Sequence, residues 1–114
     1  MKRQYNDYLL DIVENCDKAT RFLRGVSFDA FVADEEKTYA VVRALEIIGE
    51  AARHIPPDLR ARYPAIPWSQ AAGMRDKVIH DYFGVDYEVI WKTVLEDLPP
   101  LKLAIQKMLA DFSS

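Results

Sequence analysis

Over residues 4 to 25, and running on to Val26, apolar side chains recur at steps of three and four: Tyr5, Tyr8, Leu9, Ile12, Cys16, Ala19 and Leu23. That period draws one stripe along a helix, with Asp7, Asp11, Glu14, Asp17 and Lys18 on its other side and Gly25 as a stop signal. Ser27-Phe28-Asp29 then opens a short connector whose Phe28 and Phe31 are expected to cap the core. A second helix is predicted over about 35–54, with Asp34 near its start. Its buried side holds Val41, Ala44, Leu45, Ile48, Ala52 and Ile55, and Pro56-Pro57 ends it.

Between 56 and 67 the run PPDLRARYPAIP predicts one short helical turn bracketed by prolines. A third helix is predicted from Pro67 or Trp68 to about Phe83, before Gly84, with Gly73 as its weak point. The last segment starts near Asp86, and Ile90, Val94, Leu98, Leu101, Ile105, Met108 and Phe112 keep one phase across Pro99-Pro100. This predicts one kinked rod or two nearly collinear helices. No strand period, repeat or low-complexity linker occurs, so residues 1–114 are expected to form one all-α domain, an antiparallel four-helix bundle with short extra helical turns.

A chain of 114 residues suffices for a single core without staples. Cys16 is the only cysteine, so an internal disulfide and thiolate-rich metal clusters are excluded and a cytoplasmic location is expected. No apolar run approaches the ~18 to 20 residues that span a bilayer, and the charged N-terminus does not read as an export signal. With 15 basic and 18 acidic residues the net charge is -3, which argues against broad electrostatic binding to nucleic acid. Any nucleic-acid contact must be local, and Arg53, Arg60 and Arg62 are candidates for the rim of a positive cleft. Arg43, Glu46, Glu50 and Arg53 form a charged ridge read as surface ion pairs. His54 and His80 are far apart and neither belongs to a ligand motif, so no metal and no cofactor are expected; His54 suits a helix C-terminus, where the dipole favours positive charge.

The third predicted helix raises a chemical question. Trp68, Ala71, Ala72, Arg75, Ile79 and Tyr82 fall on one stripe, so an arginine interrupts apolar positions. An unpaired guanidinium in a core is very costly, so Arg75 must meet an acid, with Glu46 or Glu50 as the candidates, or line a cleft open to an anionic ligand. His80 follows Asp76 by one helical turn, which lets the carboxylate hold the imidazole in one tautomer. Arg75 and His80, however, lie about 140° apart around an ideal helix. Their convergence needs a distorted helix or a second copy of the chain.

The stretches RALEIIGEAARHIP and IPWSQAAGMRDKVIHDYFGVDYEVIWKTVLEDLPPL resemble the HepT-like branch of the HEPN superfamily. The signature of that branch, an Arg, four to six residues, a His, and a Tyr two positions on, matches Arg75, His80 and Tyr82, with Asp76 as the polar residue after the Arg. The resemblance implies a HEPN-type helical fold and a metal-independent endoribonuclease toxin; with the ribose 2′-hydroxyl as nucleophile, the expected product ends in a 2′,3′-cyclic phosphate. It also implies a homodimer with both signature segments at a shared cleft, and an MntA-like nucleotidyltransferase antitoxin that attaches AMP to Tyr82. Arg75 and His80 are then the expected catalytic pair, with Asp76, Lys77 and Tyr82 supporting them or binding RNA. The competing expectation is a non-catalytic helical module that docks onto a nucleotidyltransferase.

Overall fold

The structure, a computed structural model, describes residues 4–78 and 86–113. Every regular element among them is helical. Helix α1 (Tyr5–Phe22) begins where the Gln4 amide donates to the Asp7 carboxylate at 3.1 Å. It ends at Leu23, and the chain turns through Gly25, whose φ of +73° lies in the left-handed region that side chains disfavour. Ser27 then caps α2 (Phe28–Ala33), its hydroxyl accepting from the Ala30 amide at 3.1 Å. Phe31 on α2 is fully buried, as expected of a residue closing the core, whereas Phe28 is half-buried.

Asp34 caps α3 (Glu35–Arg53) by accepting from the Lys37 amide at 3.0 Å. The predicted stripe of α3 is sealed, with Val41, Leu45, Ile48 and Ala52 fully buried and Ala44 and Ile55 nearly so. Thr38, Gly49 and Ala51 are buried too, because α3 is covered by α1 along one side and by later elements on another. Tyr8, near the start of α1, stacks on His54 at the end of α3 with ring centroids 4.5 Å apart, so the two helices run antiparallel.

After α4 (Pro57–Ala61), Tyr63 ties the proline-rich connector to the bundle. Its hydroxyl donates to Asp111 at 2.9 Å, and its carbonyl accepts from the Trp68 indole at 3.0 Å. That bond to a carboxylate raises the Tyr63 pKa, with desolvation adding to it.

The third predicted helix is divided. Helix α5 (Trp68–Ala72) ends at Gly73, and α6 (Met74–Val78) starts anew beyond it. Glycine is a poor helix residue, and here it resets the phase. Met74 becomes the buried residue while Arg75 turns outward, so Arg75 does not interrupt a buried stripe as the unbroken helix predicted. The predicted continuation to about 83 lies outside the described residues.

The final segment forms a continuous rod. Helix α7 (Tyr87–Lys92), capped by Asp86, passes through a π-helical turn (Thr93–Asp97) into α8 (Leu98–Ser113). The Leu98 amide donates to the Thr93 carbonyl, one residue farther back than in an α-helix. Proline lacks the amide proton and collides with the carbonyl four residues before it. The widened turn accommodates Pro99 and Pro100 without breaking the rod. All the apolar residues predicted to share a phase here, from Ile90 to Met108, are buried, and Phe112 is half-buried. Tyr5 meets Phe112 edge-on at 5.5 Å and Asp17 pairs with Lys102, so α8 runs antiparallel to α1.

Cys16 sits at the centre of this core with no exposure. Burial, assisted by the neighbouring Asp17 charge, pushes its thiol up to about 12, which makes it a small apolar filler and not a nucleophile. No helix among the described residues is long and apolar enough to cross a membrane.

Candidate active site

Helix α6 comes unusually close to α3, and Gly49 is the reason. A methyl group at Gly49 would lie 3.1 Å from the Arg75 amide nitrogen and 3.2 Å from both the Ala72 carbonyl oxygen and the Arg75 Cβ. Only hydrogen fits there without moving backbone. The close approach sets Arg75 and Asp76 beside the charged residues at the end of α3.

Two ion pairs span that contact. An Arg75 Nη lies 3.6 Å from a Glu50 carboxylate oxygen, and an Arg53 Nη donates to the Asp76 carboxylate at 3.1 Å. The other Glu50 oxygen lies 3.3 Å from His54 Nε2. Glu50 therefore stands between a guanidinium and an imidazole, and the imidazole is held flat against the Tyr8 ring. About half of the Arg75 side chain remains open to solvent. Its pairing with Glu50 is thus compatible with an arriving anion, because an exposed pair of this kind is worth about 1 kcal/mol or less and is readily exchanged.

Of the two acids considered as partners for Arg75, the structure selects Glu50. Glu46 instead lines a concavity of about 210 Å³ with Tyr8, Asp11, Arg43, Glu50 and His54. Glu50 and Arg53 belong to the ridge expected to hold surface pairs, yet each reaches across to α6. Asp76, the expected support for His80, is engaged by Arg53. Lys77 lies within α6. His80 and Tyr82 fall outside the described residues, as does the Lys77 side chain. Sequence reasoning missed Gly49 altogether and placed His54 at the helix end without its neighbours Glu50 and Tyr8. The spacing Gly49-Glu50 on a buried face beside an exposed one was the available signal for the first.

Arg53 and Arg60 both line an open cleft of about 670 Å³ on the far side of Asp76, whereas Arg62 lines a separate, largely apolar groove of about 510 Å³ beside α8. The three arginines proposed for one rim therefore divide between two surfaces. Among the described residues no group of three or more His, Cys, Asp or Glu side chains is placed to hold a metal ion.

What such a site can do chemically is to offer a half-exposed guanidinium, pre-placed by backbone contact and a carboxylate, to an anionic oxygen. Comparison with known proteins bears on which anion. The family described as "Ribonuclease HepT-like" matches residues 12–108. A protein of Thermococcus cleftensis named "Probable ribonuclease HepT" is 51% identical over 95% of this chain and 98% of its own length. Proteins bearing the name "Putative RNase" from Methanocaldococcus jannaschii and Caldanaerobacter subterraneus are each 44% identical. The alignments cover 96% and 90% of this chain respectively, and 91% of each relative. No solved structure matches. The chain belongs to the HepT-like ribonuclease family.

Proposed function

We propose that this protein is an endoribonuclease that cleaves RNA without a metal ion, using Arg75 and His80. The observation that carries the reading is the placement of Arg75: seated by Gly49, oriented by Glu50 and still half open to solvent, five residues ahead of His80. RNA supplies its own nucleophile. The ribose 2′-hydroxyl gives its proton to one imidazole and attacks phosphorus, the bond to the 5′-oxygen breaks, and that oxygen takes a proton from an imidazolium. Arg75 forks onto the non-bridging oxygens as charge grows there. The products are a 2′,3′-cyclic phosphate and a free 5′-hydroxyl.

On an ideal helix Arg75 and His80 would lie about 140° apart, which makes a homodimer part of this reading, with the groups of the two protomers meeting at a shared cleft. Asp76, Lys77 and Tyr82 line that cleft as supporting or RNA-binding residues. In the same reading the protein is the toxin of a toxin-antitoxin pair. A nucleotidyltransferase antitoxin, MntA-like, transfers AMP to the Tyr82 hydroxyl, releasing pyrophosphate when ATP is the donor. Bulk and negative charge then occupy the phosphate site and block RNA by repulsion.

The test is incubation of purified protein with total RNA in EDTA, beside His80→Ala. Cleavage that resists EDTA and falls at least a hundredfold in the variant, with helical content unchanged, is expected. Inert wild-type protein would favour the non-catalytic docking module. Mixing Arg75→Ala with His80→Ala chains tests the shared cleft, since exchange of protomers should restore part of the activity.

A further inference from the structure

We infer that the cleft lined by Arg53, Arg60, Trp68, Ser69, Gly73 and Asp76 is a subsite for the RNA strand, holding a nucleotide that flanks the scissile bond, with Arg60 as its phosphate ligand. The inference rests on the ribonuclease reading and extends it to where the strand runs.

Three observations carry it. The first is position. Asp76 and Gly73 are walls of the cleft, and Arg75 lies between them in sequence, so the cleft opens beside the first turn of α6. A strand whose scissile phosphate sits at Arg75 must pass over one flank of that turn. The second is size and lining. About 670 Å³ lies within the roughly 300–1,000 Å³ typical of small-ligand sites, and Trp68 with its neighbouring proline and alanine side chains offers an apolar wall for a sugar or base. The third is charge. Arg53 is already joined to Asp76, which leaves Arg60 as the positive charge of the cleft lining not offset by that acid. In a chain of net charge -3, such a local excess is where an anion gains most.

Arg60 is also incompletely satisfied. Its Nε is shut off from solvent and donates to no acceptor among the described residues. A buried donor without a partner is unfavourable. The Nε–Nη edge is one with which arginine can grip two phosphate oxygens at once. Rotation of the half-buried side chain toward the cleft gives that edge its acceptor when a phosphate is present. Neither Arg60 nor Ser69 touches the reacting atoms in the proposed chemistry, so both act on binding and not on bond cleavage.

The experiment uses full-length protein and a mixed-sequence 12-nucleotide RNA, with a 2′-deoxy version that cannot be cleaved for binding by fluorescence anisotropy. Two variants probe the cleft: Arg60→Gln, and Ser69→Asp, an exposed position near the start of α5 where an acid is tolerated by the helix. Each is expected to weaken binding and raise KM roughly tenfold or more, and Arg60→Gln should flatten the slope of log affinity against log salt by about 0.7. Cleavage of dinucleotides too short to reach the cleft should keep its wild-type rate. If wild-type protein cleaves the 12-mer but both variants match it in affinity and salt slope, the subsite is wrong and the ribonuclease reading survives. If wild-type protein neither binds nor cleaves RNA, both fall together.

Discussion

Along α3, Val41, Leu45, Ile48 and Ala52 are sealed inside the core, whereas Glu50, Arg53 and His54 keep about half of their side chains in solvent and reach α6 or one another through charge. Gly49 belongs to neither group: it is buried, and its missing side chain lets α6 approach. The first set holds the helix in place by removing apolar surface from water, a strong and non-directional force. The second contributes little to stability and pairs with Arg75 and Asp76 across the contact. A helix can thus stabilise a fold with one face and aim a functional group with another, and the two roles should fail independently when residues are changed.

The largest effect is expected from Ile48→Ala. Truncating a fully buried isoleucine should destabilise the protein by about 2–5 kcal/mol in urea unfolding, while the molecules still folded cleave RNA at the wild-type rate. A matching loss of activity per folded molecule would break the separation of roles.

Alkali probes the same core through Cys16. Its thiol stays neutral in the folded protein up to about 12 but ionises from about 9.0 once unfolded, so its contribution is complete below pH 9 and is lost as pH rises toward 12. The loss should reach on the order of 4 kcal/mol. Cys16→Ala should flatten that part of the alkaline decline, which denaturation curves taken between pH 8 and 11 will read.

Gly49→Ala acts at the junction of the two roles. Its methyl would lie only 3.1–3.2 Å from backbone atoms of α5 and α6, so α6 must give by a few tenths of an ångström. A loss of about 1–3 kcal/mol is expected from the overpacking, partly offset by roughly 1 kcal/mol from the better helix propensity of alanine. Cleavage should fall by tenfold or more, because Arg75 moves with its helix. Unchanged activity would show that the close approach does not position the arginine.

Glu50→Gln should change stability least, by about 1 kcal/mol or less in thermal melts, since both of its partners are half exposed. A severalfold lower kcat with an unchanged melting temperature would sharpen the contrast, marking Glu50 as a residue that orients Arg75.

Much of the fold was legible before any coordinates. The periods of α1 and α3, the starts near Asp34 and Asp86, and the single apolar phase through 90–112 all correspond to observed elements, whereas the connector expected after Ser27 is the short helix α2. Arg75 was identifiable as a residue needing explanation, and Glu50 as one of two possible partners. The break at Gly73 was flagged only as a weakness, yet it changed the buried residue from Arg75 to Met74. A periodicity argument assumes an unbroken helix and carries the wrong phase past any point where the helix restarts. The π turn ahead of Pro99 was hidden for a related reason, because one inserted residue per turn alters hydrogen bonding without disturbing which side chains are apolar.

The chain by itself determined that this is a helical protein, where its three long apolar stripes lie and that Arg75 needs a partner or a ligand, because helix periodicity, caps and residue chemistry are local properties. Only the tertiary structure decided that Gly49 admits α6, that Glu50 rather than Glu46 meets Arg75, and that Arg53 and Arg60 share a cleft from which Arg62 is absent. Those outcomes depend on distances between segments more than twenty residues apart or on how helices rotate against each other, and no local pattern encodes a rotation.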